Sequence, residues 1–136
     1  MKKLFLLVLL GSFSFRAIAP NQKSLVLSVS PPIEAFKELI YAVGMVEAMG
    51  DTLKYNELEK AAGYFQIRPI RLEDYNSRTG SHYTMEDMFN YKISEQVFLY
   101  FASRIGPYDF EKIAKTWNGS GEQTIEYWKK IKQFLY

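Results

Sequence analysis

The sequence predicts a single α+β domain that is mostly α-helical, with five to six helices and a small strand element. The 136 residues suffice for one hydrophobic core and are too few for two domains. Hydrophobic residues make up 48% and aromatic residues 16% of the chain, which argues against disorder. Apolar residues recur at intervals of three and four in several segments, as they do on one face of a helix.

Residues 1–19 have the features of a targeting segment. A positive start and an apolar run from Leu4 to Leu10 precede Ala17-Ile18-Ala19, a small-x-small cleavage pattern. The neighbouring Arg16 and Pro20 are unfavourable for cleavage, so an uncleaved segment that tethers the protein stays an alternative. The apolar run is short for a membrane span. An exported chain without cysteine suits a bacterial envelope, so we expect the protein in the periplasm or cell envelope.

The basic charge of the chain belongs to this segment. Removing Lys2, Lys3 and Arg16 lowers the formal net charge from +2 to −1, which leaves no basic excess to favour nucleic acid as a partner. The absence of cysteine excludes disulfides and thiolate chemistry. The one histidine, His82, lies in a turn-like run and lacks partners for a zinc site or a catalytic triad. We therefore expect no metal and no cofactor.

The first helix is predicted from Ile33 to Met49, with Gly50 as its stop. Residues 20–32 precede it as a leader, in which Leu25-Val26-Leu27 packs as a brief extended piece. Gly44 inside the helix costs about 1 kcal/mol relative to alanine, which favours a close approach by another backbone or a ligand. The inner face of the helix follows a spacing of 3, 4, 3 and 4 and consists of Ile33, Phe36, Ile40, Val43 and Glu47.

The middle of the chain is predicted as loop, strand and helix in turn. Residues 51–60 form a charged loop, and residues 63–67 form a short strand. Pro69 opens a helix that runs to about Asn76, and a turn covers residues 76–81.

Further helices complete the domain. Thr84-Met85-Glu86-Asp87 resembles a capping box, so a helix starts there, bends near Asn90-Tyr91 and continues from Ser94 to Ile105. Asp109 caps a helix over residues 110–117, and Thr124 caps the last helix. The expected buried stripes are Val97, Phe98, Phe101 and Ile105 on the earlier helix, and Ile125, Trp128, Ile131 and Leu135 on the last.

Glu47 is the first candidate for chemistry because it shares a helix face with apolar residues. A carboxylate in such a place loses hydration, which raises its pKa and favours the protonated acid. Cleavage of a glycosidic bond needs such an acid, since the leaving oxygen must receive a proton. The spacing equally allows a glutamate that turns to solvent just before Gly50.

Two later segments carry groups that suit a sugar. Gln66, in Gly63-Tyr64-Phe65-Gln66-Ile67-Arg68-Pro69, offers amide donors and an acceptor for an N-acetyl group or for hydroxyls. Trp117 and Asn118, in Thr116-Trp117-Asn118-Gly119-Ser120-Gly121, place a stacking ring and an amide in an open loop. Each segment by itself is also compatible with an ordinary strand or a helix-terminating turn.

Together, these segments resemble the lytic transglycosylase and goose-type lysozyme group of the lysozyme-like superfamily, over roughly residues 33–136. In that group a helix ends in a catalytic glutamate, here Glu47. A Gly-x-x-Gln-Ile-x-Pro strand follows, here Gly63, Gln66, Ile67 and Pro69, and later an aromatic-Asn-x-Gly loop precedes a terminal helix, here Trp117, Asn118 and Gly119. The resemblance implies a lysozyme-like fold.

Several positions depart from the family pattern. The Glu-Ser-Gly motif reads Glu47-Ala48-Met49-Gly50, the Asn-Ile of the long helix reads Lys92-Ile93, and the Ala-Tyr-Asn triplet reads Thr116-Trp117-Asn118. Animal-type lysozymes place an aspartate two residues before the strand glycine, where this chain has Ala61. These departures keep open a non-catalytic glycan-binding or scaffold protein that kept the fold.

The resemblance implies an exported enzyme that cleaves the β-1,4 bond between N-acetylmuramic acid and N-acetylglucosamine in peptidoglycan. Glu47 would be the sole catalytic acid and then base, giving 1,6-anhydro products, while Gln66, Tyr64, Trp117 and Asn118 would hold the glycan. A hydrolytic lysozyme with the same site is the alternative, in which Glu57 or Glu59 serves as the base for a water. The expected partner of this monomeric enzyme is the glycan strand. Small domains of this kind usually open the wall for a secretion or conjugation apparatus, which the sequence does not identify.

Overall fold

A computed structural model describes residues 33–135 of the chain. The described part contains five α-helices and a two-stranded antiparallel sheet, which confirms the mostly helical α+β class. None of the described helices is both long and apolar enough to span a membrane. The predictions for residues 1–32, namely the targeting segment and the leader with Leu25-Val26-Leu27, lie outside the described residues.

The helices follow one another along the chain, with the small sheet between the first and the second. The helices are α1 (Lys37–Ala48), α2 (Pro69–Thr79), α3 (Tyr91–Ser103), α4 (Phe110–Asn118) and α5 (Gln123–Lys132). The strands are β1 (Tyr55–Asn56) and β2 (Ala61–Ala62), and short 3₁₀ turns cover Ile33–Phe36 and Glu86–Phe89. In the sheet, Tyr55 pairs with Ala62 and Asn56 with Ala61.

Helix α1 largely confirms the predicted first helix, and its inner face is correct from Phe36 onward. Phe36, Ile40 and Val43 are buried. The prediction for Ile33 is wrong, since this side chain is 61% exposed. Ile33 lies in the 3₁₀ turn, where three residues per turn rotate it away from the face that α-helical spacing predicts.

The strand predicted over residues 63–67 is wrong, because these residues form a tight turn between two bonded positions. Ala62 and Ile67 exchange backbone hydrogen bonds of 3.0 Å, and the turn between them contains Gly63 at φ 79° and Gln66 at φ 47°. Positive φ at two positions is incompatible with a continuous strand. The strands lie earlier: β1 falls inside the predicted charged loop of residues 51–60, and β2 directly follows that loop.

Two helix starts are set by side-chain caps, and one of them differs from the prediction. Asp109 caps α4 as predicted, since its carboxylate accepts from the Lys112 amide. Asn90 caps α3 by accepting from Lys92 and Ile93, so α3 begins at Tyr91. The Thr84–Asp87 segment forms only a 3₁₀ turn, in which the Asp87 carboxylate accepts from the Thr84 amide and hydroxyl.

The end of α2 and the start of α5 also differ from the predicted ones. Helix α2 begins at Pro69 as predicted, but it extends to Thr79, and Gly80 then closes it at φ 72°. Thr124 does not cap α5. It lies inside the helix, where its hydroxyl donates to the Gly121 carbonyl.

The predicted inner face of the last helix is right for Ile131 and Leu135, which are buried, and wrong for Ile125, which is 48% exposed. Tyr127 is buried in its place. The buried positions repeat at intervals of three and four and are Thr124, Tyr127, Ile131 and Leu135. Because α5 packs against both α1 and α4, this face carries the Tyr127 phenol toward the end of α1.

A chain of aromatic rings joins the turn at residues 63–67 to α3 and α4. The Phe65 ring stacks on Phe98 with centroids 4.7 Å apart, and Phe98 contacts Trp117 edge to face at 4.9 Å. The Trp117 indole also donates to the Phe65 carbonyl at 3.2 Å. These contacts hold Gln66 and Asn118, the residues that follow Phe65 and Trp117, on the same side of the core.

Candidate active site

Glu47 lies in the last turn of α1 and is partly buried. Its Oε1 accepts a hydrogen bond from the Tyr127 hydroxyl at 2.7 Å, and its backbone carbonyl accepts from the Lys54 Nζ at 2.6 Å. The side chain therefore does not turn into bulk solvent, which was the alternative that the spacing of α1 left open.

The pKa of Glu47 is raised above its ordinary value of 4.5, and burial is the largest cause. The hydrogen bond from Tyr127 and the charges of Arg68 and Lys54 act in the opposite direction, whereas the charge of Glu59 adds to the rise. Loss of hydration disfavours the charged form of a carboxyl group more than these partners restore it. Glu47 thus keeps its proton to a higher pH than an ordinary glutamate.

The three segments that the sequence singled out meet around one cavity of about 70 Å³. Its lining comprises Glu47, Glu59, Gln66, Arg68, Arg71, Trp117 and Asn118. A cavity of this size has room for ordered water but is too small for a sugar ring. A glycan that reaches Glu47 must therefore lie across the mouth of the cavity.

Gln66 is buried, and the nitrogen of its side-chain amide is hydrogen-bonded to the backbone. Nε2 donates to the Lys54 carbonyl at 3.1 Å and to the Gly63 carbonyl at 2.9 Å, so both amide hydrogens are used. Gln66 can therefore offer a ligand its Oε1 acceptor, but not the donors that the sequence suggested. Its φ of 47° is unusual for a residue with a side chain, and strained positions of this kind cluster at functional sites.

Trp117 and Asn118 reach the cavity from the end of α4. Trp117 is only 5% exposed, so its ring belongs to the core and is not an open stacking platform. The Asn118 carbonyl accepts from Arg68 Nη2 at 3.0 Å. Within residues 33–135, the Asn118 Oδ1 is buried without a hydrogen-bond partner. Asn118 is one of the residues that line the cavity, while this oxygen itself is fully buried.

Tyr64 lies away from this cavity. Its ring covers Gly44 of α1 so closely that a Cβ on Gly44 would lie 1.8 Å from the Tyr64 Cε1. It also contacts the rings of Phe65 and Tyr91 edge to face, and it lines a separate groove of about 310 Å³. Gly44 is therefore closely approached as predicted, but the approaching group is a side chain and not a backbone or a ligand.

The sequence did not single out Tyr127, Arg68 or Arg71 as site residues. Arg71 Nη2 donates to the Trp117 carbonyl at 3.0 Å, and its guanidinium lies 4.4 Å from the centre of the Trp117 ring. The three-residue spacing of the two arginines at the start of α2 indicates one shared helix face. The sequence did hold a signal that Tyr127 points inward, because Thr124, Tyr127 and Ile131 follow the three- and four-residue spacing of one helix face.

Glu59 and Glu57, the two candidate bases, differ in position. Glu59 lines the cavity, and its Oε2 lies 3.9 Å from the Arg68 Nε. Glu57 is exposed and is not part of the cavity wall. Ala61, at the position of the animal-type aspartate, is buried in β2.

Within residues 33–135, no group of three or more histidine, cysteine, aspartate or glutamate side chains is arranged to hold a metal ion. His82 is exposed in the loop before the second 3₁₀ turn.

Comparison with known proteins gives no relative to draw on. No protein-family model, curated protein or solved structure matches the chain significantly. A functional assignment therefore depends on the residues of this chain.

Proposed function

We propose that the protein is an exported glycosidase with a lysozyme-like fold that cleaves the β-1,4 bond between N-acetylmuramic acid and N-acetylglucosamine in peptidoglycan. One observation carries this proposal. Glu47 is a partly buried acid with a raised pKa, and it lines the same cavity as Gln66 and Asn118. Those three residues belong to the three separate motifs that resemble the lytic transglycosylase and goose-type lysozyme group.

Glu47 acts as the general acid. Tyr127 donates to Oε1, which leaves Oε2 to carry the proton and deliver it to the glycosidic oxygen. The raised pKa keeps a larger fraction of Glu47 protonated near neutral pH than an ordinary glutamate would have. Proton transfer to the leaving oxygen lowers the barrier to breaking the bond at C1 of the muramic acid ring.

The glycan lies across the mouth of the cavity, because the cavity is too small for a sugar ring. Gln66 lines the cavity beside Glu47, and its Oε1 is left as an acceptor because both amide hydrogens are used. Hydroxyl and acetamido N–H groups of an N-acetylated sugar are suitable donors for it. The groove lined by Tyr64 is a separate surface for the same glycan strand. The tyrosine rings of this groove suit stacking against sugar faces.

Cleavage of purified sacculi tests this proposal. The Glu47→Gln variant keeps the shape and the hydrogen bond from Tyr127 but cannot deliver a proton, so we expect a loss of about 10²–10⁴-fold in soluble muropeptide release. Glu57→Gln is the matched control, because Glu57 is exposed and outside the cavity, and it should cleave at the unaltered rate. Full cleavage by Glu47→Gln would refute the assignment.

A non-catalytic glycan binder is the second candidate. The small volume beside Glu47 favours it, as do the altered positions Ala48 and Lys92. Such a protein would sediment with sacculi and release no product even at high protein concentration.

A further inference from the structure

The groove of about 310 Å³ that Tyr64 lines contains a carboxylate that the proposed function does not use. Residues from the first half of α1 and the start of α3 line it, and its rings are those of Tyr41, Tyr64 and Tyr91. Glu95 lines the same groove, and its side chain is only 12% exposed. A neutral sugar offers no opposite charge to a carboxylate so far removed from water, so sugar stacking alone does not account for this groove.

The Glu95 carboxylate keeps acceptor capacity for a ligand. Its Oε1 accepts from the Tyr91 hydroxyl at 2.9 Å, and its Oε2 accepts from the Lys92 Nζ at 3.3 Å. A carboxylate has about four lone-pair sites, of which these bonds use two. Lys92 is 81% exposed and does not line the groove. Within the part of the chain that the structure describes, Glu95 therefore has no buried cation as its partner.

Lys92 shows which group this combination of ring and carboxylate attracts. Its ammonium lies 5.5 Å from the centre of the Tyr91 ring while it donates to Glu95. An ammonium is drawn to the negative face of an aromatic ring and donates hydrogen bonds to a carboxylate. Because Lys92 is mostly in water, its pair with Glu95 contributes little stability, and a ligand ammonium in the less exposed groove can compete with it.

The charges of the lining favour a cation. Glu34 and Lys37 form a pair at 3.9 Å with side chains 82% and 76% exposed, and with Glu95 the lining carries two carboxylates and one ammonium. Burial is the largest cause that raises the pKa of Tyr91 and of Tyr64, so both phenols stay neutral. The formal charge of the lining is therefore −1, and its least exposed charge is a carboxylate beside aromatic rings.

The groove also has an apolar side, formed by Ile33 and Ile40. A ligand that matches both sides carries its ammonium on an aliphatic stem, as lysine and other diamino acids do. A quaternary ammonium matches less well, because it has no N–H group to donate to Glu95. The chemistry of the lining thus selects a primary ammonium of the lysine type.

We propose that this groove binds the free side-chain ammonium of the diamino acid in the stem peptide of peptidoglycan. The inference rests on the proposed function and adds a second contact with its substrate. The stem peptide branches from the muramic acid, so it needs a surface outside the cavity at which the glycosidic bond is cleaved.

The turn at residues 63–67 connects the groove with that cavity. Tyr64 lines the groove and Gln66 lines the cavity, and two residues of chain span at most about 7 Å. An extended stem peptide advances by about 3.3–3.6 Å per residue, so a few of its residues bridge this separation. One substrate can therefore contact both sides of the turn.

Titration calorimetry of the full chain with a disaccharide muropeptide tests the site. This ligand ends in its reducing muramic acid, so it lacks the bond to be cleaved. The form with a free side-chain amine should bind about 10–100-fold more tightly than the same muropeptide acetylated on that amine, because acetylation removes the charge and the hydrogen bond to it.

Glu95→Gln keeps the shape of the side chain and removes its charge, so it should abolish most of the preference for the free amine. Glu126→Gln is the matched control, since Glu126 forms a similar pair with a lysine three residues away and lies outside the groove. Tyr41→Leu, at a 52% exposed position, replaces a ring with an apolar side chain. It should weaken binding of the free-amine form about two- to fivefold and leave the acetylated form unchanged.

Three results would overturn the proposal. The first is equal affinity for the free and the acetylated muropeptide, which needs no variant to fold. The second is an unchanged preference in Glu95→Gln, or a variant whose affinity for both forms falls equally together with its thermal midpoint, which would make Glu95 a structural residue. The third is a lysine-containing peptide unrelated to the stem that binds as tightly as the muropeptide, which would remove the assignment to the stem peptide.

Cleavage separates this inference from the proposed function. Acetylation of the amines of sacculi should raise the KM of the wild type and leave kcat unaltered, and Glu95→Gln should not respond to acetylation. If cleavage ignores acetylation and Glu47→Gln abolishes it, the stem-peptide site fails and the proposed function stands. If the wild type releases no muropeptide, or Glu47→Gln still cleaves, the proposed function fails whichever form of the muropeptide binds.

Discussion

The hydroxyl of Tyr127 lies 2.7 Å from the Oε1 of Glu47 and joins α5 to the last turn of α1. Burial raises the pKa of Tyr127 as the largest cause, followed by the charge of Glu47, so the phenol stays a donor throughout the working range of the protein. The same bond lowers the pKa of Glu47 and opposes the effect of burial. The acid is thus both oriented and tuned by a residue 80 positions away.

The first prediction concerns this bond. Tyr127→Phe removes the hydrogen bond that favours the carboxylate, so the pKa of Glu47 should rise and the alkaline limb of the cleavage profile should move to higher pH. The rate at the optimum should fall about tenfold, because the acid loses the contact that orients it. Release of muropeptides from sacculi between pH 4 and pH 9 provides the measurement. Tyr108→Phe, at an exposed position, is the control, and a limb that moves to lower pH would contradict the account.

The second prediction concerns stability. The folded protein binds the Glu47 proton more tightly than the unfolded chain, so the free energy of unfolding contributed by Glu47 is highest below the ordinary pKa of 4.5. It is lost as the pH rises through the raised pKa, because the carboxylate must then be held in a partly buried place. Glu47→Gln removes this dependence.

Chemical denaturation at a series of pH values measures this difference. Glu47→Gln should be more stable than the wild type above the raised pKa of Glu47, and the two should converge as the pH falls below 4.5. The difference between the unfolding free energies of the two proteins at each pH removes the contributions of the other titrating groups. A Glu47→Gln variant that is less stable than the wild type at neutral pH would contradict the prediction.

The third prediction concerns Gly63, which approaches the backbone of the second 3₁₀ turn. A Cβ at this position would lie 2.0 Å from the Met88 carbonyl oxygen, and φ is 79°. Gly63→Ala should therefore cost about 3 kcal/mol or more, from left-handed strain and a backbone clash together. Gly80→Ala has a similar φ of 72° with open space around it, so it should cost about 1 kcal/mol. If urea denaturation gave the same loss of unfolding free energy for Gly63→Ala and Gly80→Ala, the backbone clash at Gly63 would have to be relieved.

The fourth prediction concerns Gly44 and the ring of Tyr64. Gly44→Ala would place its Cβ 1.8 Å from that ring, so it should destabilise the protein by about 1–3 kcal/mol even though alanine favours a helix. In a Tyr64→Ala background the clash is absent, and the same change should stabilise the protein by up to about 1 kcal/mol. The thermal midpoints of the wild type, the two single variants and the double variant form a double-mutant cycle. If the effect of Gly44→Ala were the same in both backgrounds, the Tyr64 ring would have to move aside freely.

Local signals predicted the elements that local interactions stabilise. Pro69 opens α2, and Asp109 caps α4 through its own carboxylate, so a few neighbouring residues determine each start. The turn at residues 63–67 was mistaken for a strand for the opposite reason. Its shape depends on paired backbone bonds between Ala62 and Ile67 and on contact with the segment around Met88, which periodicity does not report.

The sequence by itself determined that Glu47 shares the inner face of a helix with apolar residues, and it singled out Gln66 and Asn118 as candidate site residues. Those features depend on spacing and residue type, which translate directly into burial. Only the tertiary structure decided that Tyr127 donates to Glu47 and that Glu59 and Arg68 line the same cavity. Contacts between residues far apart in the chain depend on how α1, α4 and α5 pack, and that packing decides that Tyr127 and not Ile125 lies inside.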